Sequence, residues 1–174
     1  NAFINQEAGA QIFGGWTRHQ AQKSLAIFAR SVYGNDAFSG QIFSEKSNDK
    51  YKSFVLRSGG NDWMDCLFRD SFMQQLVKND MNVDYLAYEP AIVFINGEYW
   101  GIHEIREKIS ENYVENNYPQ YDKDSVDVLS IEGTSTKNYT ASSGTDAAFT
   151  EFWNVIKTNN MNNATAWKYV EDHV

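Results

Sequence analysis

Cysteine is almost absent from this chain: Cys66 stands alone among 174 residues, so no internal disulfide can form. The three histidines, His19, His103 and His173, share no metal-ligand spacing with it or with one another, which excludes a structural zinc site by pattern. Positive charge is in deficit as well. Fifteen Lys+Arg face 23 Asp+Glu, a formal net charge of -8, and no basic excess is left to displace counterions from a phosphate backbone. Nucleic acid is therefore not an expected partner. The longest apolar runs resemble Ala91-Ile92-Val93-Phe94-Ile95, far short of the roughly 20 residues a membrane helix requires, so no transmembrane segment is expected. Common chemical signatures are missing too: there is no Walker-type phosphate loop, dinucleotide fingerprint, Gly-x-Ser-x-Gly elbow or His-Glu-x-x-His pair.

Apolar residues make up 42% of the chain, enough for one core burying roughly 70% of the unfolded surface, so packing alone must hold the fold. The sequence opens at Asn1 without Met or leader and stops in Trp167-Lys168-Tyr169-Val170-Glu171-Asp172-His173-Val174, still at helical spacing. A piece of something longer is the expectation. Two sequons, Asn138-Tyr139-Thr140 and Asn163-Ala164-Thr165, are compatible with an extracellular or cell-surface location.

Strand-like and loop-like segments fill the first third. Residues 10–16 form a mixed run with Gly14-Gly15 as a turn, and Ser24-Leu25-Ala26-Ile27-Phe28-Ala29-Arg30 predicts a strand buried on both faces. Residues 44–52 predict an exposed polar connection, Ser53-Phe54-Val55-Leu56-Arg57 a strand, and Ser58-Gly59-Gly60-Asn61-Asp62 a turn. A helix follows, capped near Asp65, with Leu67, Phe68, Phe72, Met73, Leu76 and Val77 on one face. The clearest local signal is Asn96-Gly97 between two apolar runs, a hairpin turn requiring positive φ. Residues 107–118 predict a helix, 124–131 an edge strand and 132–144 a loop, and Asp146 opens a helix with Phe149, Phe152, Trp153 and Ile156. The fold class is α+β, a mixed or antiparallel sheet with packed helices.

Charged residues beside the apolar elements are the candidates for chemistry. Arg18 and Lys23 flank the first buried run, Arg57 ends a strand, Asn61 and Asp62 follow it, and Arg69, Arg106 and Glu107 adjoin apolar elements. Such residues are commonly solvated ion-pair partners; alternatively, a strand Lys opposite an acid can position a nucleotide's phosphates. Spacing leaves both open.

Five segments in order carry a resemblance: Arg18-His19-Gln20-Ala21-Gln22-Lys23-Ser24-Leu25; Ala29-Arg30-Ser31-Val32-Tyr33-Gly34; Val55-Leu56-Arg57-Ser58-Gly59-Gly60-Asn61-Asp62; Phe68-Arg69-Asp70; and Phe94-Ile95-Asn96-Gly97-Glu98-Tyr99-Trp100-Gly101-Ile102-His103-Glu104-Ile105-Arg106-Glu107-Lys108-Ile109. Over roughly residues 10–120 the chain resembles the CotH family, named for a spore-coat protein. The resemblance implies an atypical, secreted kinase-like fold: an N-terminal lobe of strands and one helix, here residues 1–107, then linker and first helical elements, 108–174, with the C-terminal lobe missing. It implies ATP and Mg or Mn between the lobes of the full-length parent, with the γ-phosphate passing to Ser or Thr of exported surface proteins. By the same resemblance Lys23 pairs with nucleotide phosphates, Arg18 lies in the loop that covers them, Glu107, matching the acid near the linker, joins them as a nucleotide-binding residue, and Arg57, Asn61, Asp62 and Arg69 brace the site. Two departures stand out. There is no Asp-Phe-Gly, so no catalytic or metal-holding residue is assigned in this chain, and Arg18-His19-Gln20-Ala21 differs from the family's Arg-Gly-Asn-Ser-type loop. The fragment alone is expected to be inactive and to hold no nucleotide tightly. The competing expectation is a non-enzymatic structural or protein- or glycan-interaction module, in which Trp16, Trp63, Tyr99 and Trp100 near turns supply the surface.

Overall fold

Residues 4–131 and 139–173 are described by the computed structural model. In chain order its elements are β1 (Gly9–Phe13), β2 (Ser24–Phe28), β3 (Phe38–Ser39), β4 (Lys50–Tyr51), β5 (Ser53–Arg57), α1 (Arg69–Val77), β6 (Tyr88–Ile95), β7 (Glu98–Glu107), α2 (Glu111–Asn117), β8 (Val128–Ile131), β9 (Tyr139–Ser143), α3 (Ala147–Thr158) and α4 (Ala164–Glu171). Five strands form one sheet in the order β1-β2-β5-β7-β6, every neighbouring pair antiparallel. The class is α+β, and the sheet takes the antiparallel form.

Side chains alternate across the sheet. The register puts Ile12, Leu25, Ile27, Phe54, Leu56 and Ile105 on one face and Ala26, Val55, Arg57, Glu104 and Arg106 on the other. The first face is covered by the segment between β2 and β5 and by the chain entering β6: Ala29, Phe38, Phe43 and Tyr51 from the one and Ala87 from the other are buried there, with Ile27, Phe54 and Ile105 packed against them. Helix α1 lies over the second face. The β6–β7 hairpin turns at Asn96 (φ 53°) and Gly97 (φ 83°), the consecutive positive values this turn demands.

Four local readings differ from the structure, each for a physical reason. Residues 44–52 contain β4, and Tyr51 is buried with its hydroxyl donating to the Asn48 carbonyl at 2.9 Å, so one aromatic anchors an otherwise polar stretch. The helix after the hairpin begins at Glu111, where the Ser110 hydroxyl accepts from the Tyr113 N–H at 3.3 Å; Glu107 stays in β7 because it pairs with β5 opposite Phe54. Residues 139–143 of the segment read as a loop pair with β8, while 132–138 lie outside the described residues. On α1 the apolar residues Phe68, Phe72, Met73 and Leu76 are half or more exposed, and Ser71 faces the sheet.

Phe43 is fully buried and meets the Tyr51 ring edge-on, with centroids 5.4 Å apart. Phe43→Ala leaves a cavity at the centre of the covered face and is expected to lower unfolding free energy by about 3–5 kcal/mol in urea titration. A loss below about 1 kcal/mol would show that this segment does not seal the core.

Candidate functional site

Arg57 and Arg106, on neighbouring strands, carry their charge to the face covered by α1. The Arg106 side chain is only 3% exposed; its Nη1 donates to Asp70 Oδ2 of α1 at 2.9 Å and to Glu104 Oε2 at 3.4 Å. Asp70 Oδ2 also stands 3.5 Å from Arg57 Nε, so one carboxylate serves two guanidinium groups. Two cations and two carboxylates balance, but the donors do not. Arg57 Nε and Arg106 Nε and Nη2 are buried without an acceptor among the described residues. Buried guanidinium N–H groups ordinarily find partners, so these three mark capacity for an added acceptor. The chain presses close to Arg57: a Cβ at Gly60 (φ +62°) would fall 2.6 Å from Arg57 Nη2. Ser71, buried, donates its hydroxyl to Glu104 Oε1 and stands 2.9 Å from the Phe68 carbonyl, tying α1 to β7.

The start of α1 is fixed by Asp62 rather than by Asp65. Its Oδ2 accepts the Arg69 backbone N–H at 3.1 Å and the Cys66 thiol at 3.0 Å, and the Arg69 guanidinium lies 2.9 Å from Oδ1. The Cys66 thiol, then the Arg69 backbone N–H and guanidinium, hold the Asp62 carboxyl below the usual carboxylate range against the opposing effect of burial. Leu67, at φ 70°, adopts the left-handed region just before the helix, a strained conformation for a branched residue.

Lys23 ends the connection between β1 and β2. Its ammonium donates to the Arg18 carbonyl at 2.6 Å and to the Gln20 carbonyl, which folds this basic loop back on itself. Arg18 itself is exposed. The base of the loop is bolted to β7: Gln22 Nε2 donates to the Ile102 carbonyl at 2.8 Å and lies 3.1 Å from His103 Nδ1, while Trp63 Nε1 donates to Gln22 Oε1 at 3.1 Å. His103 is fully buried, and with Nδ1 facing that amide donor, Nε2 donates to the Lys23 carbonyl at 3.0 Å. The next residue, Ser24, accepts the Ser58 N–H on its hydroxyl at 3.0 Å, so the chain just past Lys23 is joined to the chain just past Arg57.

Of the residues singled out by sequence, Arg57, Asp62 and Arg69 gather around the start of α1, with Asn61 exposed in the adjoining turn. Arg18 and Lys23 share the neighbouring loop. Glu107 sits apart on the opposite face, accepting from Ala87 N–H at 2.8 Å and Asn117 Nδ2 at 3.1 Å, with Lys46 Nζ 3.6 Å away. Sequence reasoning overlooked Asp70, Glu104, Ser71, Gln22 and His103. The available signal was Glu104-Ile105-Arg106, two opposite charges two apart on a strand and hence on one face.

Asp62→Asn removes the anion that starts α1. Because the folded carboxyl titrates below its unfolded value, the wild-type stability advantage holds above about pH 4 and fades as pH falls further. Urea titrations at neutral pH and near pH 3 check this; a difference unchanged between them would assign the effect to packing rather than charge.

No curated protein and no solved structure matches the chain. The family described as CotH kinase protein matches residues 10–174, which takes in the sheet, the basic loop, the buried charge cluster and every helix. The chain belongs to the CotH kinase family.

Proposed function

We propose that this chain is the nucleotide-facing lobe of a protein kinase of the CotH type, whose whole protein transfers the γ-phosphate of ATP to Ser or Thr hydroxyls of exported surface proteins. The observation that carries this reading is the Arg57–Asp70 pair, running from the third strand of the main sheet in chain order to the helix that follows it. Protein kinases place an ion pair between those same two elements to position the phosphates. Arg57 replaces a point-charge Lys with a planar fork, and its Nε–H, paired with Asp70 Oδ2 at 3.5 Å but not hydrogen-bonded to it, supports an additional oxygen acceptor. The loop carrying Arg18 and Lys23 adjoins this strand through Ser24 and Ser58, which supports a role over the phosphates.

ATP supplies the transferable phosphoryl group, and the residues here bind and orient it. Among the described residues no three His, Cys, Asp or Glu side chains gather into an all-protein metal cage; a divalent ion carried with ATP would take most of its ligands from phosphate oxygens and water, and the carboxylates that hold it are assigned to the whole protein. Catalytic deprotonation of the acceptor is likewise assigned to the whole protein. Glu107 braces the lobe from the far side of the sheet by holding the Ala87 N–H and Asn117. An extracellular or cell-surface location belongs to the same proposal; among the described residues no helix is long and apolar enough to cross a membrane.

A second reading, an interaction module without catalysis, draws on Trp16, which is 71% exposed beside the basic loop, and on the outward apolar side of α1. Calorimetric titration with ATP and Mn²⁺ separates the two, using residues 1–174, the same chain within its whole protein, and Lys23→Ala and Arg57→Ala variants. The whole protein is expected to bind, and each variant to lose on the order of tenfold, since a charge-assisted contact contributes about 1.5–3 kcal/mol. Absence of binding in the whole protein would favour the interaction module.

A further inference from the structure

The sheet face opposite α1 holds a half-open cavity of about 820 Å³, within the size range of small-molecule sites. Its walls are mostly apolar, with Ile27, Phe54 and Ile105 from the sheet and Phe38 and Ile42 from the covering segment. Two polar side chains in the lining are incompletely used. Gln6 Nε2 is buried with no acceptor among the described residues, and the half-buried Glu89 accepts from Ser44 N–H through Oε1 at 2.7 Å and keeps its second carboxylate oxygen open to a donor. By contrast, the Gln41 amide is spent on the Lys46 carbonyl at 2.9 Å.

These features define a complement. An apolar body fills the cavity, a carbonyl oxygen accepts from Gln6, and an N–H donates to Glu89. An ammonium group would serve Glu89 but leave the buried Gln6 N–H without an acceptor; a carboxylate would serve Gln6 but meet the like charge of Glu89. We propose that this cavity binds a neutral, largely apolar small molecule whose polar end is a carboxamide. The site lies on the face of the sheet away from Arg57 and Arg106, so it stands or falls independently of nucleotide binding.

The probes are hydrocinnamamide, hydrocinnamate and phenylpropylamine, which share a phenyl-and-chain body and differ at the head. Binding is read from the methyl resonances of Ile27, Ile42 and Ile105. The amide is expected to give saturable shifts, unaffected by ATP, with several-fold tighter binding than either charged analogue. Gln6→Leu is expected to weaken the amide roughly three- to tenfold, the worth of one neutral hydrogen bond, without changing hydrocinnamamide's place in the cavity. Ala8→Trp, at an exposed lining position, is expected to abolish the shifts by filling the mouth. The proposal is overturned by an absence of saturable shifts with the amide, by a charged analogue binding as tightly, or by amide affinity unchanged in Gln6→Leu. The Gln6→Leu result decides the matter even if Ala8→Trp fails to fold.

Discussion

A guanidinium buried as deeply as that of Arg106 is tolerable only beside carboxylates, and this requirement organises one whole side of the molecule. Glu104 supplies one partner from the same strand, two residues back and therefore on the same face. Asp70 supplies the other from α1. Leaving such a charge unpaired would cost about 3–5 kcal/mol, a large share of the 5–15 kcal/mol that holds a domain together, so α1 is constrained to present its polar side to the sheet.

That constraint explains an otherwise inverted helix. Ser71 and Asp70 face inward, and Phe68, Phe72 and Leu76 face out, although hydrophobic burial alone would favour the reverse. The inward polar side serves the sheet because Arg57 and Arg106 stand there. In turn, the shared Asp70 fixes Arg57 relative to the helix, while Asp62 fixes where the helix begins. Helix start, strand end and charged cluster are thus one mechanical unit. The basic loop joins it through the Ser24–Ser58 contact, and His103 and Gln22 hold the loop's base to β7.

Much of the fold was legible because its signals are local. Asn96-Gly97 specifies a turn whatever surrounds it, and the short apolar run Phe54-Val55-Leu56 next to the Gly59-Gly60 turn specifies a strand. The five ordered segments from Arg18 to Ile109 identified the family, and the match over residues 10–174 agrees. Contacts distant in sequence were not legible. Nothing local says that Asp70 reaches Arg106, 36 positions on, or that Glu107 spends its carboxylate on Ala87 N–H, 20 positions back. The helical reading of residues 107–110 failed for the same reason: pairing with β5 outweighs local propensity there. The cavity on the far face was equally invisible, since its walls come from six separate stretches of chain.

Glu104 and Glu107 show how narrowly the two faces are kept distinct. They lie three residues apart on one strand, so the first joins the charge cluster beneath α1 and the second joins the buried core on the other side. A slip of one residue in β7 would exchange every side chain between the faces, placing Ile105 under α1 and Arg106 among Phe54, Phe38 and Ile27. The hairpin prevents it from both ends. The Asn96-Gly97 turn sets the pairing of Ile95 with Glu98, the irregularity between Val93 and Phe94 absorbs one register shift, and pairing then runs unbroken to Tyr88 opposite Arg106. The charge cluster on one face and the packing on the other therefore depend on two turn residues more than 20 Å of strand away, by the rise of about 3.4 Å per residue over the ten residues of β7.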